Sequence, residues 1–153
     1  MIKNMLVWPV SVWFVTAVAA SLVIVCTDLA CFWIPDLPVL LLGAANVAAL
    51  AGGLFRPDPL VSLAAALFFT LLYVFFPGGM GSGDLKLFLA LLPGCICCGV
   101  CVLVLCAFWT AFPAALAQYW LCRKKMLPFA PFLIVGWWFS LFWGKEWLQW
   151  TGI

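Results

Sequence analysis

Five carboxylates, Asp28, Asp36, Asp58, Asp84 and Glu146, are the acid–base groups available to this sequence, which contains no histidine. The absence of histidine removes the commonest general base and most catalytic metal sites. It also removes serine and cysteine triads of the usual kind. Two carboxylates that come close together cannot both ionise easily, so the pair shares a proton. Such a pair can accept a proton from water and donate one to a peptide carbonyl. The chemistry therefore turns on which two carboxylates can meet.

Asp84 closes the only glycine-rich segment, Pro77-Gly78-Gly79-Met80-Gly81-Ser82-Gly83-Asp84. Glycines let the backbone take positive φ and let helices approach closely. An ionisable residue at membrane depth is costly and functional by default. The alternative is that Asp84 only caps the helix that follows. A phosphate loop does not fit, because Gly-Lys-Ser/Thr is missing and no third glycine completes a dinucleotide fingerprint. Asp28 is the natural partner, at the end of the first long apolar run. The other three have simpler roles. Asp36, between Pro35 and Pro38, is placed to cap a helix. Asp58 sits beside Arg56 in a tight turn, and Glu146 follows Lys145. Lys86 either snorkels to the headgroups or orients substrate.

The elements that must position these residues are transmembrane helices. Of the residues, 69% are hydrophobic and 8% charged, against roughly 25% charged in soluble domains. A soluble domain of this size could not hide so much apolar surface, whereas lipid is itself an apolar solvent. The apolar runs are continuous, as in LAAALFFTLLYVFF, which excludes the alternation of a barrel and leaves helices. The first span is expected at about Met5 to Thr27, too long for a typical signal peptide. The second is expected at Pro38 to Phe55 and the third at Leu60 to Phe76. The stretch from Leu85 to Leu121 would reach about 55 Å as one helix and must break, most simply at Pro93-Gly94. This predicts a short helix over Leu85–Leu92 and a span over Cys95–Trp120, with Pro113 as a kink. A last span covers Leu127 to Trp143. The expectation is an all-α polytopic bundle of about six helices, one short and broken after the glycine segment, in a single domain over residues 1–153.

Asp28 follows one crossing and Asp84 three, so they share a side. Arg123, Lys124 and Lys125 fall there too, which makes that side cytoplasmic by the positive-inside rule. The tryptophans from Trp137 to Trp150 suit a membrane interface. A net charge of +2 is too small for nucleic acid binding. The cysteines lie in or beside apolar runs. The cluster Cys95, Cys97, Cys98 and Cys101 reads as packing residues, since free cysteine behaves as a small hydrophobe; no metal and no cofactor are expected.

Three segments together resemble the type IV prepilin peptidase family. Gly79-Met80-Gly81-Ser82-Gly83-Asp84-Leu85-Lys86-Leu87 is similar to its G-x-G-D-x-K-L signature. Asp28, with Ile34-Pro35-Asp36 six residues on, resembles its upstream aspartate and Ile-Pro turn. Lys125-Met126-Leu127-Pro128-Phe129-Ala130-Pro131-Phe132 resembles its late Ile-Pro-Phe-x-Pro-Phe segment. The glycine–aspartate motif also occurs in presenilin-like proteases, whose Tyr-Asp partner motif is absent here. The resemblance implies an intramembrane aspartic endopeptidase of the inner (cytoplasmic) membrane, with Asp28 and Asp84 as the catalytic pair. Gly81, Gly83, Lys86, Pro35 and Asp36 would support substrate or motif. The implied partners are membrane lipid and the short basic leader of a prepilin or pseudopilin, cut at the cytoplasmic face. Cys31-Phe32-Trp33 stand where members often carry basic residues. The Cys-rich insert linked to methylation is missing, which predicts peptidase without methyltransferase activity. A second reading is a small transporter or an assembly subunit of a secretion or conjugation machine, with Asp28 and Asp84 handling protons or ions.

Overall fold

Proline and glycine divide the apolar chain into its helices. The computed structural model describes residues 2–75, 80–122 and 127–151, with side chains over 10–75, 80–120 and 127–143. Helix α1 spans Ile2–Cys31, α2 Asp36–Ala51, α3 Pro59–Phe75, α4 Ser82–Leu91, α5 Gly99–Cys122 and α6 Ala130–Thr151. A single 3-10 turn, Leu92–Gly94, joins α4 to α5. The predicted break at Pro93-Gly94 is there, because proline and glycine end α4 and restart the chain in a new direction. Pro113 lies inside α5 without ending it. No strand forms among the described residues.

Several boundaries differ from expectation, each for a local reason. α1 runs on to Cys31, so Asp28 sits inside its last turn instead of after it. The helix stops where Phe32 takes φ 53° and its N–H closes on the Asp28 carbonyl at 3.0 Å. α2 starts at Asp36 behind Pro35, which takes the cap position in extended geometry without a side-chain cap bond. Asp36 is therefore not a cap. Asp58 is one: its Oδ1 accepts the N–H groups of Leu60 at 2.9 Å and Val61 at 3.2 Å at the start of α3. The basic triplet Arg123, Lys124 and Lys125 lies outside the described residues.

Two helical segments, Val10–Cys31 and Gly99–Trp120, are long and apolar enough to cross a membrane. α2, α3 and the Ala130–Trp143 part of α6 are apolar but shorter. Many outward side chains are large and apolar, among them Leu37, Leu60, Val74, Trp109 and Phe112. Water would penalise such a surface; hydrocarbon would not. The core is a narrow seam, with Ile24, Leu42, Phe69, Leu87, Phe88, Leu103 and Leu133 buried in it. Phe69 of α3 stacks on Phe88 of α4 at 3.8 Å between centroids.

α5 and α6 form the most extensive pair. They approach so closely that a Cβ on Gly136 would stand 2.5 Å from the carbonyl oxygen of Leu103. Only glycine allows that contact. Trp137 does not lie at an interface as the tryptophan cluster suggested. It is fully buried, and its Nε1 donates to the Gly94 carbonyl at 3.2 Å. Trp143 is exposed, and the side chains of Trp147 and Trp150 lie outside those described.

Candidate active site

The end of α1, the start of α2 and the start of α4 meet around a cleft of about 240 Å³, with Asp28 and Asp84 both on its wall. Asp28 is brought there by the last turn of α1 and is only 5% exposed. Its Oδ2 accepts the backbone N–H of Ala130, the first residue of α6, at 3.2 Å.

Asp84 is the third residue of α4. Gly81 occupies the cap position in extended geometry, so Asp84 is not the N-cap of this helix. It belongs to the first turn, where the helix N-terminus favours negative charge. α4 has ten residues and is about 15 Å long, too short to cross a bilayer. Burial pushes the Asp84 carboxyl up to about 6, the charge of Asp28 adds to the rise, and a hydrogen bond from the Gly81 backbone opposes it. The charge of Asp28 is thus felt at Asp84 across the cleft.

The two glycines differ in what they allow. A Cβ on Gly83 would lie 3.0 Å from the Cβ of Ile34 and 3.2 Å from its Cδ1. The bare glycine lets the Ile34-Pro35 turn pack against the segment that carries Asp84. A Cβ on Gly81 would come within 3.2 Å of Oδ2 of Asp84, so a side chain there would crowd the carboxylate. The Gly81 carbonyl also accepts the N–H of Leu85 at 3.3 Å, which opens the helix.

Lys86 and Asp36 form an ion pair on the cleft wall, with Nζ to Oδ1 at 2.9 Å. Both side chains are more than half exposed, so the pair is worth about 0–1 kcal/mol and is easily exchanged. The capping reading of Asp36 gives way to this pair, since α2 has no side-chain cap bond.

The structure thus brings Asp28, Asp36, Gly81, Gly83, Asp84 and Lys86 to one cleft. Pro35 is not in its wall but starts α2 beside it. Sequence reasoning did not place Phe32, Trp33 or Ser82 among the site residues, although they also line the cleft, nor the backbone of Ala130. Phe32 gave no signal, because the left-handed position after a helix usually holds glycine or asparagine. For Ala130 the usable signal was Pro131, which removes the neighbouring donor.

The four cysteines of the 95–101 stretch lie away from this cleft. Cys95 is fully buried, and its Sγ lies 3.6 Å from the Leu91 carbonyl. Cys97 takes φ 47° and exchanges backbone hydrogen bonds with the Arg56–Asp58 turn at 2.8 and 3.0 Å. Among the described residues, no three of Cys, Asp or Glu gather as metal ligands would.

A family model described as the type IV leader peptidase family matches residues 14–116. The match takes in Asp28, the Ile34-Pro35-Asp36 turn and the segment up to Lys86. No curated protein and no solved structure matches the chain.

Proposed function

Because the chain belongs to the type IV leader peptidase family, we propose that it is an intramembrane aspartic endopeptidase whose catalytic pair is Asp28 and Asp84. The observation that carries this reading is the meeting of the two carboxylates, from helices distant in sequence, on one cleft wall. One carboxylate removes a proton from water as its oxygen bonds to the carbonyl carbon of the scissile peptide. The other gives its proton to the carbonyl oxygen, which yields a tetrahedral diol. Return of a proton to the amide nitrogen then breaks the C–N bond and frees the two products. A water-poor cleft makes such transfers more sensitive to where the protons sit.

The substrate class is the leader peptide of prepilin or pseudopilin-type proteins. Cleavage takes place at the cytoplasmic face of the inner membrane, which the chain crosses several times. The apolar outer surface supports the membrane setting, and the shared end of the bundle that holds both aspartates supports a site near one face. Gly81 and Gly83 keep the cleft open beside Asp84, and the Lys86–Asp36 pair stands at its wall as an exchangeable contact for charged substrate groups.

The test is co-expression with a prepilin whose basic leader ends in glycine. Wild type should cleave it, while Asp28→Asn and Asp84→Asn, inserted at normal levels, should leave it intact. Cleavage by either variant would remove that residue from the pair. A folded wild type that cuts none of several such leaders would favour the transport or assembly reading instead.

A further inference from the structure

Helix α6 begins at Ala130, and a helix start leaves backbone N–H groups in need of partners. Pro131 has none to offer. The N–H groups of Phe132 and Leu133 turn back to the Phe129 carbonyl at 3.1 and 3.2 Å. That leaves Ala130, which is fully buried and cannot turn to water. Its N–H goes to Oδ2 of Asp28 at 3.2 Å, across 102 residues of sequence.

We propose that the backbone N–H of Ala130 positions Asp28 and holds it as the charged member of the pair, so that Asp28 takes the proton from water and Asp84 gives the proton to the substrate carbonyl. This inference deepens the aspartic peptidase reading and rests on it. A hydrogen bond donated to a carboxylate favours its charged form, and the positive end of α6 acts in the same sense. The other charged groups on this cleft are Asp84 and Lys86 of α4 and Asp36 of α2. Lys86 is engaged by Asp36, so among the described residues no cation pairs with Asp28. Asp84 also accepts a bond from the Gly81 backbone, but burial and the charge of Asp28 outweigh it and push Asp84 up to about 6. Asp28 is buried and Asp84 half-buried, and both accept a backbone N–H near a helix start, Asp84 within its own helix α4 and Asp28 from α6, 102 residues away. The bond to Asp28 is the one that depends on how two distant helices pack.

Phe129-Ala130 is the single Phe–Ala pair in the sequence. Carbonyl-13C phenylalanine with 15N alanine therefore isolates the Ala130 amide in the full chain in micelles. Its resonance should move with pH in the wild type and lose that movement in Asp28→Asn. An amide that does not titrate, or titrates equally in Asp28→Asn, overturns the proposal. Proline is tolerated at the first position of a helix, so Ala130→Pro deletes the donor without breaking α6, and its ring carbon displaces the Asp28 carboxylate that the N–H now holds at 3.2 Å. It should lower kcat for leader cleavage by roughly tenfold or more, with KM held within about twofold. Ala130→Gly keeps the donor and should stay within about threefold of wild type. Ala130→Pro with wild-type kcat overturns the role while leaving the peptidase reading intact. A wild type that cleaves nothing overturns the peptidase reading and the role with it, and a titrating amide would then leave only the Asp28 contact standing.

Discussion

Burying a carboxyl group costs folding free energy when the group is charged, and Asp84 is held up to about 6 against an ordinary 3.8. A folded-state value above the unfolded one means that the native protein binds the proton more tightly. That contribution to stability is full below about 3.8 and is lost as pH rises through about 6. Above it, the native chain carries a charge in the cleft beside Asp28. Asp84→Asn removes that charge. At about pH 8 the variant should therefore unfold at a higher temperature than wild type, and the gap should narrow towards about pH 4. Thermal unfolding in micelles at both values checks this; a gap that does not depend on pH would count against it. Gly83→Ala acts in a different way. The added methyl meets Ile34 at 3.0 Å, and a β-branched side chain has little freedom to turn aside. The expected cost is about 1–3 kcal/mol of stability, with a loss of leader cleavage because the Ile34-Pro35 turn must retreat from the cleft. Denaturation and cleavage measured on the same preparation test both parts.

At the scale of the elements, the short helix α4 is fixed from its far end. Asn46 of α2 is fully buried, and its Nδ2 donates to the Ala90 carbonyl at 3.0 Å, one of the carbonyls that the end of α4 leaves unpaired. Its Oδ1 accepts Nε1 of Trp13 from α1 at 2.9 Å. A Cβ on Gly94 would stand 2.7 Å from the Asn46 side chain, so the 3-10 turn closes directly over the amide. One residue thus ties α1, α2 and α4 together. Asn46→Ala leaves a half-buried indole N–H and a half-buried carbonyl without this partner, a loss of about 1–3 kcal/mol. Because α4 carries Asp84 at its other end, leader cleavage should also fall, although Asn46 does not line the cleft. Unchanged stability and activity in Asn46→Ala would show that α4 is held by apolar packing alone.

At the scale of the whole molecule, the helix starts and ends sort into two faces. The cleft joins the end of α1 to the starts of α2 and α4, and α6 begins there too, at Ala130 beside Asp28. The other face holds the end of α2 and the Pro57–Cys97 bridge. α2 has 16 residues, about 24 Å of helix between them. Cys31 and Cys97 are both exposed, and they mark opposite faces. If the cleft faces the cytoplasm, a membrane-impermeant maleimide added outside intact cells should label a variant whose one remaining cysteine is Cys97. It should not label the variant that retains only Cys31 until the membrane is opened. The reverse pattern would invert the orientation drawn from the basic residues.

Much of this protein was legible in one dimension. Continuous apolar runs dictate helices because lipid leaves no other partner for the backbone. Pro35, Pro57 and Pro93 mark breaks, since proline removes a donor and blocks the preceding turn. The lack of histidine, with so few carboxylates, made Asp28 and Asp84 the candidate pair, and the packed bundle brings both to one cleft. Contacts between distant residues could not be read in this way. Local rules made Asp36 a cap and Trp137 an interfacial anchor, and left Lys86 between snorkelling and orienting substrate. Tertiary packing instead pairs Asp36 with Lys86 and buries Trp137 over Gly94. The left-handed turn at Phe32 had no local signature. Pro131 marks a missing donor beside Ala130 but not where the Ala130 N–H goes, because a backbone donor has the same chemistry at every residue other than proline. What makes the Ala130 donor specific is the approach of α6 to the end of α1, which only the packed bundle decides.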